Sequence, residues 1–474
     1  MKKFFSLNNV REAIDNGETT LPELLQHYFD VIEKDKHLNV FNEVFFHSAR
    51  SQAEAVQVKI NNGTAGKLAG MIIGLKDNIC YKDHQVTASS KMLDGYISPY
   101  SATVTERLLA NDAVIIGRLN CDEFAMGGSN ETSYYGPVKN AADEERVSGG
   151  SSGGSAVAVQ AGMCLAALGT DTGGSVRQPA AFCGVIGFKP TYGRISRYGV
   201  IAYASSFDQV GTITNSVADA ALLMEILAGA DENDSTVVNL PVPAYSSLNT
   251  SNNHKIAVLK ETMESNALDP EIKRAIEIKI KEFKEAGYAV ETVSFDLLEY
   301  LVPAYYVLTT AEASSNLSRY DGVRFGYRNN EAKDLNELYK LSRAEGFGEE
   351  VKRRILLGTF VLSAGYYDAY YQKAQKVRRL IREKLEEILS TYDLIISPVT
   401  PTPAFKMGDN MRDPLVMYMA DIFTVPASLG GLPAVSLPAG NNKEGLPLSI
   451  QVMAKQFNEA LLLSFADQFS DSQI

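Results

Sequence analysis

Between Gly149 and Gly199 lie 12 of the chain's 36 glycines, so about a third of this residue type falls within 51 of 474 positions. Residues without a Cβ are needed where backbones approach closely or where φ turns positive, so this concentration marks a place of close backbone approach. It is built around two short phrases, GGSSGG (Gly149–Gly154) and DTGGS (Asp171–Ser175), with the small-residue run SAVAVQAGMCLAALG (Ser155–Gly169) between them. That run predicts an alanine-rich helix packed close to its neighbours, its N-terminus beside GGSSGG. Two serine–glycine segments flanking one short helix can return both sets of hydroxyls to the same end of a sheet.

The remainder of the chain reads as α/β. Leu21, Leu24, Leu25, Tyr28, Phe29 and Ile32 recur at helical spacing, and Pro22 sits where a helix can begin, so residues 7 to 60 are expected to be helical. LAGMIIGL (Leu68–Leu75) predicts a short buried strand whose apolar run ends at Lys76. Lys255–Lys260 and Tyr288–Val293 read as strands around a helix over Asp269–Gly287, with Asp269 as N-cap, Pro270 in the first turn and Gly287 at the C-terminal cap. A long helix through Tyr370–Leu389 leads to a buried strand at Asp393–Pro398, and Leu432–Gly440 and Leu446–Ala454 form the arms of a hairpin. With 45% hydrophobic residues, core size is not limiting. The expectation is one α/β domain over residues 1 to 474: a helical lead-in at 1–60, a core at 65–225, and the rest of the sheet with helical insertions at 226–474.

Charge and cysteine usage narrow the partners. The balance of 45 Lys+Arg against 57 Asp+Glu gives −12, a field that repels phosphate backbones and makes nucleic acid a poor direct partner. Lys352–Arg354 and Lys376–Lys384 read as solvated helix faces. Cys80, Cys121, Cys164 and Cys183 lie far apart, as buried free thiols of a reducing compartment, and no histidine stands at ligand spacing, so no metal is expected. The N-terminus lacks a signal-peptide pattern and no stretch approaches eighteen apolar residues, so a cytoplasmic protein without membrane contact is expected.

Gly149, Ser151 and Gly153 satisfy the nucleophile-elbow spacing GxSxG. An enzyme of that class needs a later histidine, and the only one is His254, after the polar loop Asn249–Asn253. A phosphate cradle fails as well, because no GK[ST] completes either phrase. For either phrase alone, a plain tight turn remains an equal reading. Taken together they favour chemistry: DTGGS offers consecutive backbone N–H groups, the form of an oxyanion hole, and Lys76 ends an apolar strand. A neutral lysine at pH 7 costs roughly 4 to 5 kcal/mol in water. Burial lowers a lysine pKa by up to about 3 to 5 units, so Lys76 can serve as a base only if it is buried. Its rival reading is a lysine that snorkels from a strand end to solvent.

Gly149–Gly199 through its full length and GLKDNI (Gly74–Ile79) resemble the signature and lysine motifs of the amidase signature enzymes. EFAMGGSNETS, EASSNLSRYDGVRFGY, GFGEEVKRRILLGTF and GYYDAYY are similar, within that family, to the A subunits of tRNA-dependent amidotransferases. The resemblance covers essentially the whole chain. It implies a central mixed twisted sheet covered by helices on both faces, and a Ser-cisSer-Lys triad of Ser175 as nucleophile, Ser151 as proton relay and neutral Lys76 as base. The backbone amides of Thr172, Gly173, Gly174 and Ser175 would hold the oxyanion. Glutamine would be held by Tyr305, Arg354 and Asp421, the last two having plainer readings as a surface charge and a helix cap. Met126–Ser129 would line the amide pocket, and Asp171 with Arg177 would brace the nucleophile loop.

The implied activity is that of a glutaminase which supplies ammonia for conversion of Glu-tRNA(Gln) to Gln-tRNA(Gln), or of Asp-tRNA(Asn) to Asn-tRNA(Asn). In the implied heterotrimer, the B subunit handles the misacylated tRNA and uses ATP and Mg, the small C subunit clasps its A counterpart, and the A subunit itself carries no cofactor. A stand-alone amidase for small amides and a non-catalytic scaffold that merely holds its partners are the alternatives.

Overall fold

The computed structural model describes residues 4–247, 254–409 and 414–470; the two N-terminal lysines and the polar loop before His254 lie outside the described residues. Its strands are β1 (Phe41–Val44), β2 (Ile72–Lys76), β3 (Val114–Leu119), β4 (Ala166–Asp171), β5 (Ile186–Lys189), β6 (Gln209–Thr214), β7 (Lys255–Leu259), β8 (Ala289–Val293), β9 (Leu394–Pro398), β10 (Ala434–Asn441) and β11 (Pro447–Ala454). They form one 11-stranded mixed sheet in the order β1-β3-β2-β4-β6-β5-β10-β11-β9-β7-β8, flanked by helices. Among the described residues no helix is long and apolar enough to cross a membrane.

Most of the second-half elements follow their patterns. The helix Pro270–Glu285 has Asp269 as N-cap, accepting from the Glu271 N–H, and Gly287 turns left-handed just beyond its end. β10 and β11 pair antiparallel as the hairpin. The lead-in contains helices Leu7–Asp15, Leu21–Lys34 and Phe46–Asn61, the second opened by a capping box between Thr20 and Glu23. It is not wholly helical: Phe41–Val44 pairs with β3 as the edge strand β1.

The larger correction falls on Ser155–Gly169. The helix is only Gly153–Gln160, and Ala166–Asp171 is strand β4. Gly162 at φ 70° breaks the helix, and the chain then enters the sheet between β2 and β6. Alanine, leucine and glycine do not favour a strand intrinsically; burial between two neighbours decides the matter. This placement fixes the site. β2 and β4 are adjacent and parallel, so Lys76 at the end of β2 and Thr172–Ser175 just beyond β4 emerge at the same edge of the sheet. The short helix runs back to β4, which brings its N-terminal serines to that edge too. Ligand sites in such sheets lie beyond the carboxyl ends of parallel strands.

Candidate active site

Lys76 is fully buried, and its Nζ lies 2.7 Å from Ser151 Oγ and 2.9 Å from Ser152 Oγ, with Thr170 O at 3.5 Å. It does not snorkel. Desolvation pulls its pKa from 10.5 down to about 8, against the opposing pull of Cys121, Asp122, Asp171 and Asp208. Deprotonation at pH 7 then costs about 1.4 kcal/mol rather than the 4 to 5 of an exposed lysine.

The Gly150–Ser151 peptide bond is cis, and the loop is locked on every side. Gln178 accepts from the Gly150 N–H (2.8 Å) and donates to Gly128 O (2.7 Å), tying GGSSGG to the Gly127–Ser129 segment. A Cβ on Gly150 would stand 2.0 Å from Asp122 Oδ2, which itself accepts from the Asn130 N–H. The Ser152 N–H donates to Ser175 O at 3.1 Å, fastening the two serine loops side by side. Ser175 is the most accessible of these hydroxyl residues, at 9% against 0% for Ser151 and Ser152, and among the described residues its Oγ makes no hydrogen bond.

In the second loop the carbonyls of Gly173 and Gly174 and the Thr172 side chain are held while the amides are free. Gly174 O accepts from the Gln178 N–H, Gly173 O accepts from Thr424 Oγ1, and Thr172 Oγ1 donates to Asp208. The backbone N–H groups of Thr172, Gly173, Gly174 and Ser175 have no acceptor among the described residues. Four unpaired amides in a buried loop are a standing demand for a negative oxygen. Beneath them Asp171 and Arg177, both fully buried, form a bidentate pair at 2.8 and 3.0 Å. Burial alone would raise Asp171; the Arg177 guanidinium holds it below the ordinary carboxylate value.

Of the three expected amino-acid contacts, Arg354 and Asp421 each touch Tyr306, whereas its neighbour Tyr305 lies against Gly173. Tyr305 and Tyr306 lie within the helix Leu298–Asn316; the Tyr305 hydroxyl abuts Gly173, where any Cβ would come within 2.4 Å, and the Tyr306 hydroxyl donates to Asp421 Oδ2 at 2.7 Å. Arg354, on the helix Glu349–Val361, is 4% exposed, so within Lys352–Arg354 the reading as a solvated face holds for Arg353 and fails for Arg354. Its guanidinium sits among the rings of Tyr203, Tyr306 and Tyr418 at 5.3 to 5.5 Å. Nε donates to Glu350 and Nη1 to the Tyr203 hydroxyl; among the described residues Nη2 has no partner. Arg378 likewise lies against Phe207 at 3.9 Å rather than in solvent.

A cavity of about 180 Å³ is lined by Gly127, Gly128, Ser129, Tyr306, Arg354 and Tyr418, among others, so the Met126–Ser129 phrase contributes its last three residues while Met126 is wholly buried behind them. Asp421 is raised to about 6 by burial, with Tyr306 and Arg354 pulling the other way. All four cysteines are buried free thiols.

Sequence reasoning passed over Ser152, Gln178, Asp208 and Thr424. Ser152 and Gln178 lie within the glycine-rich stretch and are recognisable only by what they touch. Thr424 stands 251 residues from Gly173 and carries no local signal.

A serine hydrogen-bonded to a buried lysine, set beside a second serine and four free loop amides, can carry acyl transfer to serine with lysine as the base. Residues 23–463 match the sequence model of the Amidase family, and the chain belongs to that family. It is 49% identical to the A subunit of glutamyl-tRNA(Gln) amidotransferase from Koribacter versatilis, an alignment spanning 97% of each chain. The like-named A subunit from Nitrosococcus oceani is 50% identical over 98% of this chain and 96% of that one. The crystal structure of the A subunit of glutamyl-tRNA(Gln) amidotransferase from Thermotoga maritima superposes with a TM-score of 0.77 at 41% identity, covering 95% of this chain and 91% of its own.

Proposed function

We propose that this chain is the glutaminase subunit of a tRNA-dependent amidotransferase, releasing ammonia from the side-chain amide of glutamine. Neutral Lys76 takes a proton from Ser151, which takes one from Ser175 as Ser175 Oγ attacks the carboxamide carbon. The developing oxyanion is received by the amides of Thr172–Ser175, where each donor is typically worth about 3 to 4 kcal/mol. Return of the proton expels ammonia and leaves a γ-glutamyl ester on Ser175; water then attacks that ester along the same proton path and glutamate leaves. Arg354 receives the α-carboxylate through its free Nη2, Asp421 receives the α-ammonium, and Tyr305 closes the site beside Gly173.

The observation that carries this reading is the set of four unpaired loop amides next to a serine hydrogen-bonded to a buried lysine of depressed pKa. Near-complete alignment at close to half identity with A subunits supports the assembly: the B and C subunits as partners in the cytoplasm, with ATP and Mg used by the B partner, which also carries the misacylated tRNA. The test is ammonia release from glutamine by wild type and Ser175→Ala, with mass spectrometry of Ser175 for the glutamyl ester. Undiminished release by Ser175→Ala refutes the mechanism. Co-expression with those two partners, followed by amidation of Glu-tRNA(Gln) and Asp-tRNA(Asn), assigns the acceptor.

A further inference from the structure

The loop Thr172–Ser175 contains two consecutive glycines, so its peptide planes are the least restrained by their own side chains, yet their orientation decides where the amides point. In a trans peptide the carbonyl oxygen and the following N–H point in opposite directions from one rigid plane. The Gly173–Gly174 bond is trans, so whatever holds Gly173 O also aims the Gly174 N–H. That oxygen is held by a single side chain: Thr424 Oγ1 donates to it at 2.5 Å. The same hydroxyl lies 3.1 Å from Asp421 O, so the nearer Gly173 oxygen takes its one hydrogen.

Thr424 is built in rather than incidental. It is fully buried; its carbonyl accepts from Arg177 Nη1 at 2.7 Å, and its own N–H donates to Asp421 O at 3.1 Å. A Cβ on Gly174, whose φ is 143°, would come within 2.4 Å of the Thr424 hydroxyl, so glycine at 174 is what lets the threonine reach the neighbouring carbonyl. The next plane is fixed by the backbone alone, Gly174 O accepting from the Gln178 N–H, so the Gly173–Gly174 plane is the one that depends on a distant side chain.

We infer that Thr424 is a positioning residue: its hydroxyl holds the Gly173–Gly174 peptide so that the Gly174 N–H faces the oxyanion of the reacting amide. One turn of chain, Asp421 to Thr424, then joins the residue that receives the substrate ammonium to the plane that stabilises the transition state. The inference rests on the reading of Ser175 as nucleophile. An interaction felt mainly in the transition state lowers kcat and leaves KM nearly unchanged.

The experiment compares Thr424→Val, which keeps the shape and removes the hydroxyl, with Thr424→Ser, which keeps the hydroxyl. Two rates are measured on the full chain: steady-state ammonia release from glutamine, and labelling of Ser175 by a fluorophosphonate, in which serine oxygen bonds to phosphorus, fluoride leaves and the phosphoryl oxygen needs the same amides. Thr424→Val is expected to lower kcat and the labelling rate together by on the order of 10- to 100-fold with KM within about twofold, and Thr424→Ser to stay within about threefold of wild type. Wild-type rates in Thr424→Val, or a raised KM at unchanged kcat, overturn the inference. So does equal loss in the serine variant. If Thr424→Val does not fold, the serine variant alone decides: a kcat loss there beyond about tenfold, with a wild-type melting temperature, refutes the assignment, and near wild-type rates support it. Wild-type protein that neither releases ammonia nor labels at Ser175 refutes the nucleophile reading instead, a failure distinct from that of Thr424.

Discussion

Replacing Lys76 by methionine separates what the lysine does for chemistry from what it does to the fold. A lysine that titrates at 10.5 when unfolded and about 8 when folded binds fewer protons in the folded chain across that interval. Unfolding therefore takes up a proton there, and stability rises with pH between about 8 and 10.5. At pH 7 the buried ammonium costs the fold about 3.4 kcal/mol relative to the same group in water, and at pH 9 about 2.0 kcal/mol. Methionine removes that penalty but strips a partner from Ser151 and Ser152, a loss of about 0.5 to 1.5 kcal/mol for each hydroxyl. The variant is thus expected to be more stable than wild type by about 0.4 to 2.4 kcal/mol at pH 7, while ammonia release is abolished. The lost hydrogen bonds do not depend on pH, so the cleaner quantity is the change in the difference: wild type should regain about 1.3 kcal/mol on the variant between about pH 7 and pH 9. Urea unfolding of both proteins at the two pH values measures it. A stability difference that stays flat with pH means that Lys76 is not held at a depressed pKa, and the proposed base is lost with it.

The same groups shape the pH–rate profile. Neutral Lys76 and ionised Asp421 are both required, so log kcat/KM for glutamine should rise with a slope of about one between about pH 6 and 8 and about two below about 6; a flat acid limb contradicts both assignments. Arg354→Lys keeps the charge and loses the planar fork seated among three tyrosines, so KM should rise roughly tenfold or more with kcat little changed, as read by steady-state kinetics. Gly150→Ala places a methyl 2.0 Å from an Asp122 oxygen and 2.9 Å from the amides of Ser129 and Asn130; a loss of about 3 kcal/mol or more in denaturant titration is expected. Arg177→Met leaves Asp171 charged and fully buried without its partner, at a cost of about 3 to 5 kcal/mol, visible as a lowered unfolding midpoint at neutral pH.

The parts of the fold that were legible in the sequence are those where one face differs from the other. Pro270–Glu285 carries its periodicity, its N-cap and its closing glycine within one phrase, and it folds accordingly. Ser155–Gly169 carries no such contrast: Gly153–Val159 and Leu165–Asp171 are all buried, so neither a helical nor a strand period is written there, and Gly162 alone marks the break. The hydroxyls and the loop amides were legible because close backbone approach demands glycine in quantity, and Lys76 because it ends an apolar strand; their separate roles came from the resemblance to the amidase signature motifs. The burial of Arg354 was not, since Lys-Arg-Arg on a helix looks the same whether one guanidinium meets water or three tyrosine rings. Thr424, Gln178 and Asp208 act through single hydrogen bonds whose other ends are set by topology.

The register of β2 beside β4 has a further consequence. The groups assigned to proton transfer and attack lie between Lys76 and Ser175, at the ends of neighbouring strands β2 and β4 and at the start of the short helix that leads into β4, whereas the groups assigned to gripping the amino acid lie between Tyr305 and Asp421 on separate elements. Cutting and choosing are thereby carried by different stretches of polypeptide. A lineage can exchange the second stretch, and with it the carboxamide it accepts, while inheriting the first, provided the turn after Asp421 keeps Thr424 on Gly173 O.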